Sequence, residues 1–520
     1  MTATRLADRL AWLALGAFAA LWLARWPTFP LVLDPYYHLF VGRQMAAAGG
    51  PIAYEWWQYA PVGRPHLYPP VLHLVLAALL TASCPPLATI RLVSAVLPPL
   101  LLLSLWAAVR RLLSPTTALA ALLAALTPFA FHLHSAITLA ATLGLIELLW
   151  LLVAVERGQP LTAAMLLGLL WYTHLGLPWI AVLALGIGGL LHPPVRATLQ
   201  RSAWGLLLGV PWLAHLWVHR ALLVAFPRYE NETVELSLFV YAVALLGLWR
   251  SWRARGAASW PLACWAAFGL LAFQHQYRWL SGEGMLSVCI LAGVGLEAAG
   301  RWVAAAAWLT PRWRATPEGT RHTLAVAAAG FLLWLSPTLQ HTGRQWVWRW
   351  PDAAVWHLLN SPSVAAKPTE TSFYVPQIER LVQAVVRQTQ PREILWSNAP
   401  YVLGLVAALA NRPMSSAMLN EVQAPVRFDP IRAAHLIVWF RLAQAPGFAT
   451  EEQLRAYRLR RVGEDDVAVL YRQEESGPLA QAPRAVLPLW AALAMAGTAA
   501  GVAAFGLTKQ DTLPKSLYNK

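Results

Sequence analysis

The chain has 520 residues, of which 58% are hydrophobic and 12% are charged. So much apolar surface exceeds what a soluble core of this length buries, and many of the apolar runs reach the thickness of a bilayer. The formal net charge of +15 does not indicate a nucleic-acid-binding protein, because the arginines are scattered through short loops and form no continuous basic face.

The apolar runs predict a polytopic α-helical membrane protein. The first run, at about residues 10–24, is followed by Arg25 and Trp26 without a small-residue cleavage site, so we expect a retained helix and not a signal peptide. The next apolar piece, residues 71–82, is too short to cross a bilayer and predicts an interfacial or re-entrant segment. Further spans are predicted at about residues 89–109, 116–131, 137–154, 161–174, 176–191, 203–219, 235–249, 258–273, 285–300, 323–340 and 485–507.

The loops between these spans predict their sidedness. If the amino terminus is cytoplasmic and residues 71–82 do not cross, every second loop carries arginines, beginning with Arg110 and Arg111, as the positive-inside rule expects of cytoplasmic loops. If residues 71–82 crossed instead, most of these loops would invert and the rule would fail. The pattern therefore predicts about twelve crossings.

The segment 341–483 differs from the rest because it lacks long apolar runs. Residues 376–388 have one apolar helical face, and short β-rich runs follow at 393–396, 435–440, 457–461 and 467–471. These patterns predict a small extracytoplasmic α/β domain. The predicted domains are a transmembrane domain at 1–340 with a long first outer loop at 27–88, the α/β domain at 341–483, and a final transmembrane helix with a cytoplasmic tail at 484–520.

This topology gathers the unusual polar residues on the outer side. The outer loops carry Asp34, His38, Glu55, Trp56, Trp57 and Arg64, then His132 and His134, then Tyr172 and His174, then Arg228, Glu230, Glu232 and Glu235, and finally His275, Arg278 and Glu283. Carboxylates could hold a divalent metal such as Mg or Mn and leave positions for phosphate. Arginine suits a lipid phosphate, because its planar fork binds phosphate oxygens in pairs.

Several segments together resemble a known family. Residues 34–38 (Asp-Pro-Tyr-Tyr-His), the run 61–70, and residues 278–280 (Arg-Trp-Leu) followed by 291–295 (Leu-Ala-Gly-Val-Gly) are similar to the catalytic subunit of oligosaccharyltransferase. That subunit belongs to the GT-C superfamily of membrane glycosyltransferases. The similarity runs over most of residues 1–300, and the order of the segments carries it. The resemblance implies a GT-C-like membrane domain that takes a sugar or oligosaccharide from a polyprenyl-phosphate-linked donor and transfers it to an acceptor on the extracytoplasmic face.

The resemblance also implies roles for single residues. Asp34 matches the first-loop aspartate that binds the metal and helps to activate the acceptor, and Arg278 matches the arginine that contacts the donor phosphate. Either Glu232 or Glu235 matches the family's short acidic motif, and the sequence leaves that choice open. The residues that could contact substrate are His38, Glu55, Arg64, Trp56, Trp57, His132 and His134.

Two departures from the family pattern leave alternatives open. The second outer loop, residues 131–142, contains no carboxylate, so either His132 or His134 substitutes or no metal binds there. The family's Trp-Trp-Asp-Tyr-Gly motif is also missing, which disfavours protein N-glycosylation. The alternative function is a catalytically inactive GT-C-like structural or lipid-binding subunit of a membrane complex.

Each candidate residue has a simpler interpretation beside the functional one. Asp34 could only cap a helix that Pro35 begins. Arg278 could reach the interface as a snorkelling side chain, and the histidines could be packing residues. The richness in tryptophan and arginine is typical of a bacterium of high genomic GC content, in which the membrane would be the plasma membrane.

Overall fold

A computed structural model of the chain defines the fold. It describes residues 2–30, 34–223, 234–254, 256–273, 275–306, 313, 315–341, 345–360, 376–418, 422–441, 451–488 and 492. Glu232 and most of the last predicted span, 485–507, lie outside these residues.

Helices dominate the described part of the chain. In order they are α1 (Ala3–Leu23), α2 (Asp34–Ala48), α3 (Val71–Thr81), α4 (Pro86–Leu112), α5 (Pro115–Ala125), α6 (Phe129–Ile137), α7 (Leu139–Glu156), α8 (Pro160–Thr173), α9 (Leu177–Leu191), α10 (Arg196–Ser202), α11 (Gly205–Leu208), α12 (Val210–Val218), α13 (Leu238–Ala254), α14 (Trp260–Phe268), α15 (Gln276–Leu280), α16 (Met285–Ala305), α17 (Glu318–Leu332), α18 (Ala354–Asn360), α19 (Pro376–Gln388), α20 (Pro400–Ala410), α21 (Pro430–Ala433) and α22 (Glu451–Leu454).

Four helical stretches of the described residues are long and apolar enough to cross a membrane. They are α1, α4, α7 and the stretch Gln276–Ala305 that contains α15 and α16. The helix predicted not to cross, α3, has 11 residues, which at about 1.5 Å per residue is roughly half of the hydrocarbon thickness. The other apolar helices are also shorter than the four, so the number of twelve crossings stays a prediction.

Small residues let the central helices approach closely. Every residue of α5 from Thr117 to Ala125 is buried, and a side chain at Gly293 of α16 would stand 2.8 Å from the Ala121 side chain. Gly247 of α13 lies against the backbone of α16, where a Cβ atom would overlap the carbonyl of Leu291. Such contacts between small residues are how membrane helices pack, and they fix α16, which begins beside Arg278.

Polar pairs join helix ends at one end of the bundle. Arg110 Nε, at the end of α4, lies 2.8 Å from Asp8 Oδ1 in α1. Thr117 Oγ1, at the start of α5, donates to Glu297 in α16 over 2.5 Å. The positive-inside pattern assigns this end to the cytoplasm, and α1 and α16 separate it from Asp34 and Arg278. The sidedness of the two ends stays a prediction.

The strands form three separate sheets. They are β1 (Tyr54–Glu55), β2 (Arg64–Pro65), β3 (Val234–Ser237), β4 (Thr338–His341), β5 (Trp346–Arg349), β6 (Leu395–Ser397), β7 (Leu436–Phe440), β8 (Leu459–Glu464) and β9 (Ala468–Gln473). The hairpin β1-β2 and the sheet β3-β4-β5 are antiparallel. In the four-stranded sheet, of order β6-β7-β9-β8, only β6 and β7 are parallel, and the chain between them contains α20 and α21.

The helix and the four strands predicted within 376–473 are confirmed, but two boundaries differ from the prediction. The span predicted at 323–340 ends early, because α17 stops at Leu332 and β4 begins after Pro337, which cannot continue a helix. The predicted domain border at 341 falls in the sheet β3-β4-β5, whose strands do not pair with the four-stranded sheet. The span predicted at 203–219 is broken into the two short helices α11 and α12.

Candidate active site

The first outer loop is held by a buried ion pair. Glu55 and Arg64 face each other across β1 and β2, with Arg64 Nε 2.9 Å from Glu55 Oε2, and both side chains are 1% exposed. Glu55 Oε1 also accepts from Tyr37 over 2.8 Å and lies 2.7 Å from His66 Nδ1. Burial alone would raise the pKa of Glu55, but Arg64 and His66 outweigh it and hold the pKa low, so the carboxylate is ionised at neutral pH.

This ion pair bears on the predicted substrate contacts. The side chains of Glu55 and Arg64 pair with each other. Arg64 Nη1 also donates to the carbonyl of Val422 over 2.9 Å. Trp57 is buried against Phe40, with ring centroids 5.7 Å apart. Trp56 is half-buried and packs on Tyr54. Of these four predicted contact residues, only Trp56 presents a partly open side chain.

Asp34 forms the accessible end of a histidine network. It is the first residue of α2, where the helix dipole favours a carboxylate, and its side chain is 29% exposed. His38 follows one turn later on the same face, with its Nε2 3.7 Å from Asp34 Oδ2. His38 Nδ1 in turn lies 2.8 Å from Nε2 of His73 in α3, and both rings are fully buried.

Helix α6 separates the roles of His132 and His134. The ring of His132 points into the bundle, where its Nε2 lies 2.8 Å from the Ala125 carbonyl and its ring packs on Phe18. His134 points to the other side, and its Nε2 lies 3.0 Å from Glu283 Oε2. The second outer loop therefore contributes His134 to the candidate site and uses His132 for packing.

Arg278 is held by the short turn between α15 and α16. Its Nη1 donates to Glu283 Oε1 over 3.2 Å, and its Nε donates to the Tyr277 hydroxyl over 3.0 Å. Its side chain is 27% exposed whereas that of Glu283 is 2% exposed. Within the described ranges no acceptor binds Nη2 of Arg278. Glu283 thus orients a guanidinium whose second amino group remains available to an anion.

The two accessible groups belong to one cluster of side chains. Tyr68 stands between them, because its ring centroid lies 5.0 Å from that of His38 and its hydroxyl interacts electrostatically with Arg278. His174 interacts electrostatically with both Arg278 and His38. We call this set the site cluster; it consists of Asp34, His38, Tyr68, His134, His174, Arg278 and Glu283.

His174 enters the site cluster as a neutral ring. Its Nδ1 accepts hydrogen bonds from the backbone N–H groups of Gly176 and Leu177, at 3.1 and 3.2 Å. A ring nitrogen that accepts two hydrogen bonds carries no hydrogen itself. The remaining ring nitrogen therefore carries the hydrogen at neutral pH, and His174 is a donor at Nε2.

Glu235 supports the Arg278 turn with its backbone. Its N–H and carbonyl both bond the Ser281 hydroxyl, at 2.7 and 2.9 Å, whereas its carboxylate accepts from Gln340 over 3.1 Å. In the described part of the chain no three His, Cys, Asp or Glu side chains group closely enough to hold a metal ion. The described donors therefore do not fit the implied metal, and the predicted metal site would depend on Glu232, outside the described residues.

Three members of the site cluster, and His73 beside it, were not predicted as site residues. Glu283 and His174 were recognised only as polar residues of outer loops, Tyr68 only as part of the run 61–70, and His73 not at all. A signal for Glu283 exists in the sequence, because a carboxylate five residues after Arg278 in a glycine-containing turn is placed to pair with it. His73 is a lone histidine in an apolar helix. A polar side chain in such surroundings costs free energy and often has a functional role.

The fold of this chain is similar to folds seen in solved structures. Among solved structures, ArnT from Cupriavidus metallidurans matches in its apo state with a TM-score of 0.53 and in a complex with undecaprenyl phosphate with a TM-score of 0.51. Both matches have 14% sequence identity and cover 90% of this chain and 98% and 99% of the ArnT chains. The predicted GT-C resemblance is confirmed at the level of the fold.

An oligosaccharyltransferase from Archaeoglobus fulgidus, tethered to an acceptor peptide, is more distant. It has a TM-score of 0.44 and 13% identity, over 80% of this chain and 64% of its own. No family sequence model matches the chain, and no curated protein sequence matches it.

Proposed function

We propose that this protein is an integral-membrane glycosyltransferase that transfers a sugar or oligosaccharide from a polyprenyl-phosphate-linked donor to an acceptor on the extracytoplasmic face. One observation supports the proposal: Asp34 and Arg278, predicted from distant loops, are partly exposed charges of one cluster of side chains. In such a cluster, Asp34 can act as the base for an acceptor and Arg278 as the cation that binds a leaving phosphate.

Arg278 binds and orients the donor. Because Glu283 holds Nη1, the guanidinium presents Nη2 in a fixed direction, and a phosphate oxygen there gains a charge-assisted hydrogen bond. His174 adds a neutral donor that does not cancel the field of Arg278. These groups stabilise the negative charge that develops on the phosphate as the bond to the sugar breaks.

Asp34 accepts the proton of the acceptor. Its carboxylate is exposed enough to meet an acceptor hydroxyl or amine, and the N-terminus of α2 favours the charged form. The deprotonated acceptor then attacks the sugar carbon as the phosphate leaves. Asp34 and Arg278 thus act on opposite sides of the same reacting carbon.

The likeness to ArnT supports the class of donor. The ArnT structure with a TM-score of 0.51 was determined with undecaprenyl phosphate bound, a polyprenyl phosphate of the chemistry that Arg278 suits. A divalent ion such as Mg or Mn stays a proposal that would need Glu232 beside Asp34, and no step above depends on it.

The decisive experiment measures sugar transfer by the purified full-length protein from a radiolabelled polyprenyl-phosphate-linked donor. We expect Asp34→Ala and Arg278→Ala each to reduce kcat/KM by about 10²-fold or more, and the surface variant Arg458→Ala to behave as the parent protein. Activity that is indifferent to both site substitutions would refute the residue assignments.

The inactive-subunit alternative is separated by binding. A catalytically inactive subunit would bind polyprenyl phosphate through Arg278 and would transfer no sugar from any donor. The proposed enzyme transfers label to acceptor, and Asp34→Ala retains donor binding while it loses transfer.

The proposal includes a location: the plasma membrane of a bacterium, with the α/β domain outside the cytoplasm. Single cysteines at positions 34 and 111 would test it in intact cells. A membrane-impermeant thiol reagent should reach position 34 and not position 111, and the opposite labelling would overturn the proposed sidedness.

A further inference from the structure

The sheet β3-β4-β5 buries polar side chains on one of its faces. Side chains alternate between the two faces of a strand, and residues in register on neighbouring strands share a face. The register places Glu235 beside Gln340 and Ser237 beside Thr338. Ser237, Thr338 and Gln340 are buried, and the hydroxyls of Ser237 and Thr338 bond the buried Asp352. We call this side of the sheet the polar face.

The opposite side of the sheet is apolar and exposed. The register places Leu236, Leu339 and Trp348 in one row across the three strands, with Trp346 in the next row. Trp346 is 54% exposed and Trp348 is 65% exposed, and Trp350, two positions after the latter, is 72% exposed. We call this side, with Leu236, Leu339, Trp346 and Trp348, the tryptophan face.

This arrangement is the reverse of that in a sheet that meets water. An antiparallel sheet with one solvated side places its apolar residues on the core and its polar residues outside, whereas here the hydroxyls and the amide lie inside and the indoles outside. A contiguous exposed apolar patch marks an interaction surface. Tryptophan is enriched where hydrocarbon meets headgroups, because its ring is apolar and its N–H is a donor.

The tryptophan face continues an apolar surface of the helix bundle. Strand β3 leads directly into α13, and β4 follows α17. Near these junctions Phe239 of α13 and Phe331 and Leu332 of α17 are exposed. Both helices pack against α16, which belongs to a stretch long and apolar enough to cross a membrane. This continuity favours lipid over a saccharide or a protein as the occupant of the tryptophan face.

The same sheet is joined to the turn that carries Arg278. The N–H and the carbonyl of Glu235 in β3 both bond the hydroxyl of Ser281, at 2.7 and 2.9 Å. Ser281 lies three positions after Arg278. The strand and the turn cannot move apart without breaking both bonds, so the position of the sheet is transmitted to the guanidinium.

We propose that the tryptophan face lies in the lipid headgroup region, at the end of the bundle that carries Arg278, and that it holds Arg278 at the depth of the lipid phosphates. The first part concerns the surface alone, and the second part rests on the proposed function. The indoles fix the depth of the sheet in the bilayer. The bonds between Glu235 and Ser281 then fix the depth of the guanidinium.

Spin labels on single cysteines test the first part without any substrate. The background is full-length protein with Cys84→Ser, because Cys264 and Cys289 are buried. Trp348→Cys and the control Arg460→Cys both alter exposed residues on edge strands, β5 and β8. In lipid nanodiscs the label at position 348 should collide more often with oxygen, which concentrates in lipid, than with a water-soluble nickel chelate. The label at position 460 should show the reverse.

Two outcomes of this measurement overturn the proposal. One is a label at position 348 that meets the nickel chelate as often as the label at position 460 does, because the tryptophan face then lies in water. The other is a label at position 348 that is protected from both reagents, because protein then covers the face. Trp346→Cys, on the same face, provides a second and independent measurement.

Sugar transfer in nanodiscs tests the link to Arg278. A chain with both Trp346→Ser and Trp348→Ser should raise the KM for the polyprenyl-linked donor by about threefold or more and leave kcat unchanged. Trp302→Ser is the control, because Trp302 is 60% exposed but lies at the far end of α16. An active parent whose double variant keeps its KM overturns the link. An inactive parent overturns the proposed function and leaves the spin labels to decide where the tryptophan face lies.

Discussion

His134 Nε2 lies 3.0 Å from Glu283 Oε2, and this contact joins the second outer loop to the turn that carries Arg278. Because Glu283 binds both His134 and Arg278, one buried carboxylate orients two groups of the site cluster. Glu283 therefore links the second outer loop to the turn of Arg278.

The first prediction concerns Gly282, which leaves room for His134. A Cβ atom there would stand 3.1 Å from His134 Nε2 and 3.1 Å from the Cα atom of Arg278. We expect Gly282→Ala to push His134 from Glu283 and to reduce sugar transfer by about tenfold or more. Gly186→Ala in α9 is the control, because a Cβ atom there meets nothing within 4 Å. Equal activity of the two variants would contradict the role of His134.

The second prediction concerns the turn of the β1-β2 hairpin. Gly63 has a φ of +77°, and a Cβ atom there would stand 2.6 Å from the Tyr54 ring and 3.0 Å from the Glu55 carbonyl. Gly49 has a similar φ of +74° with open space around it. Gly49→Ala should cost about 1 kcal/mol of stability through backbone strain alone, and Gly63→Ala should cost clearly more. Denaturation in detergent measures both, and equal losses would show that the hairpin tolerates the clash.

A third prediction tests the ion pair inside that hairpin. Glu55→Gln leaves the Arg64 guanidinium buried without its counter-charge, so we expect a loss of about 3–5 kcal/mol in the free energy of unfolding. Glu475→Gln removes a partner at the same type of contact, 3.0 Å from Arg458, but on side chains that are more than half exposed. Its expected cost is below about 1 kcal/mol. Similar melting temperatures for the two variants would mean that the Glu55 pair does not hold the loop.

The pH dependence of stability provides a fourth prediction. Burial raises the pKa of Asp352 to about 7, the hydroxyls of Thr338 and Ser237 oppose the shift, and the charge of Glu235 adds to it. Because the folded state holds the proton more tightly than the unfolded state, the stability from protonated Asp352 is complete below pH 4 and is lost as the pH rises to 7.

Asp352→Asn should remove that dependence. The parent should lose up to about 4 kcal/mol relative to the variant between pH 4 and pH 7, measured as melting curves across this range. The exposed Asp466→Asn should track the parent at every pH. A parent and an Asp352→Asn variant with parallel curves would show that Asp352 is ionised in the fold.

Sequence patterns predicted the regular elements better than their pairing. Alternating β-rich residues were enough for the strands of the four-stranded sheet, because each run carries its own period. Nothing local indicates that β4 pairs with β3, which lies about a hundred residues earlier in the chain. The span predicted at 323–340 also took in most of β4, because the apolar run of α17 continues as far as Leu335, close to the start of the strand.

The sequence predicted the two partly exposed charges of the candidate site, Asp34 and Arg278, better than the residues that support them. Asp34 and Arg278 stand in motifs, whereas their supports are single residues whose partners lie on other helices. His132 and His134 are two positions apart on α6, so the helix turns them about 200° from each other, and only the packing of α6 decides which one meets Glu283. His73 pairs with a residue 35 positions away, a separation that no periodic pattern records.

The hydrogen bond from Arg64 to the carbonyl of Val422 spans 358 positions, and two more backbone bonds join Trp57 and Ala60 to Met414. The amino-terminal loop that bears Asp34 therefore leaves the ribosome long before the residues that brace it exist. During synthesis the first outer loop stays without these contacts while the following helices are inserted. A chain cut short before residue 414 would carry every motif of the first loop and still lack the residues that brace it.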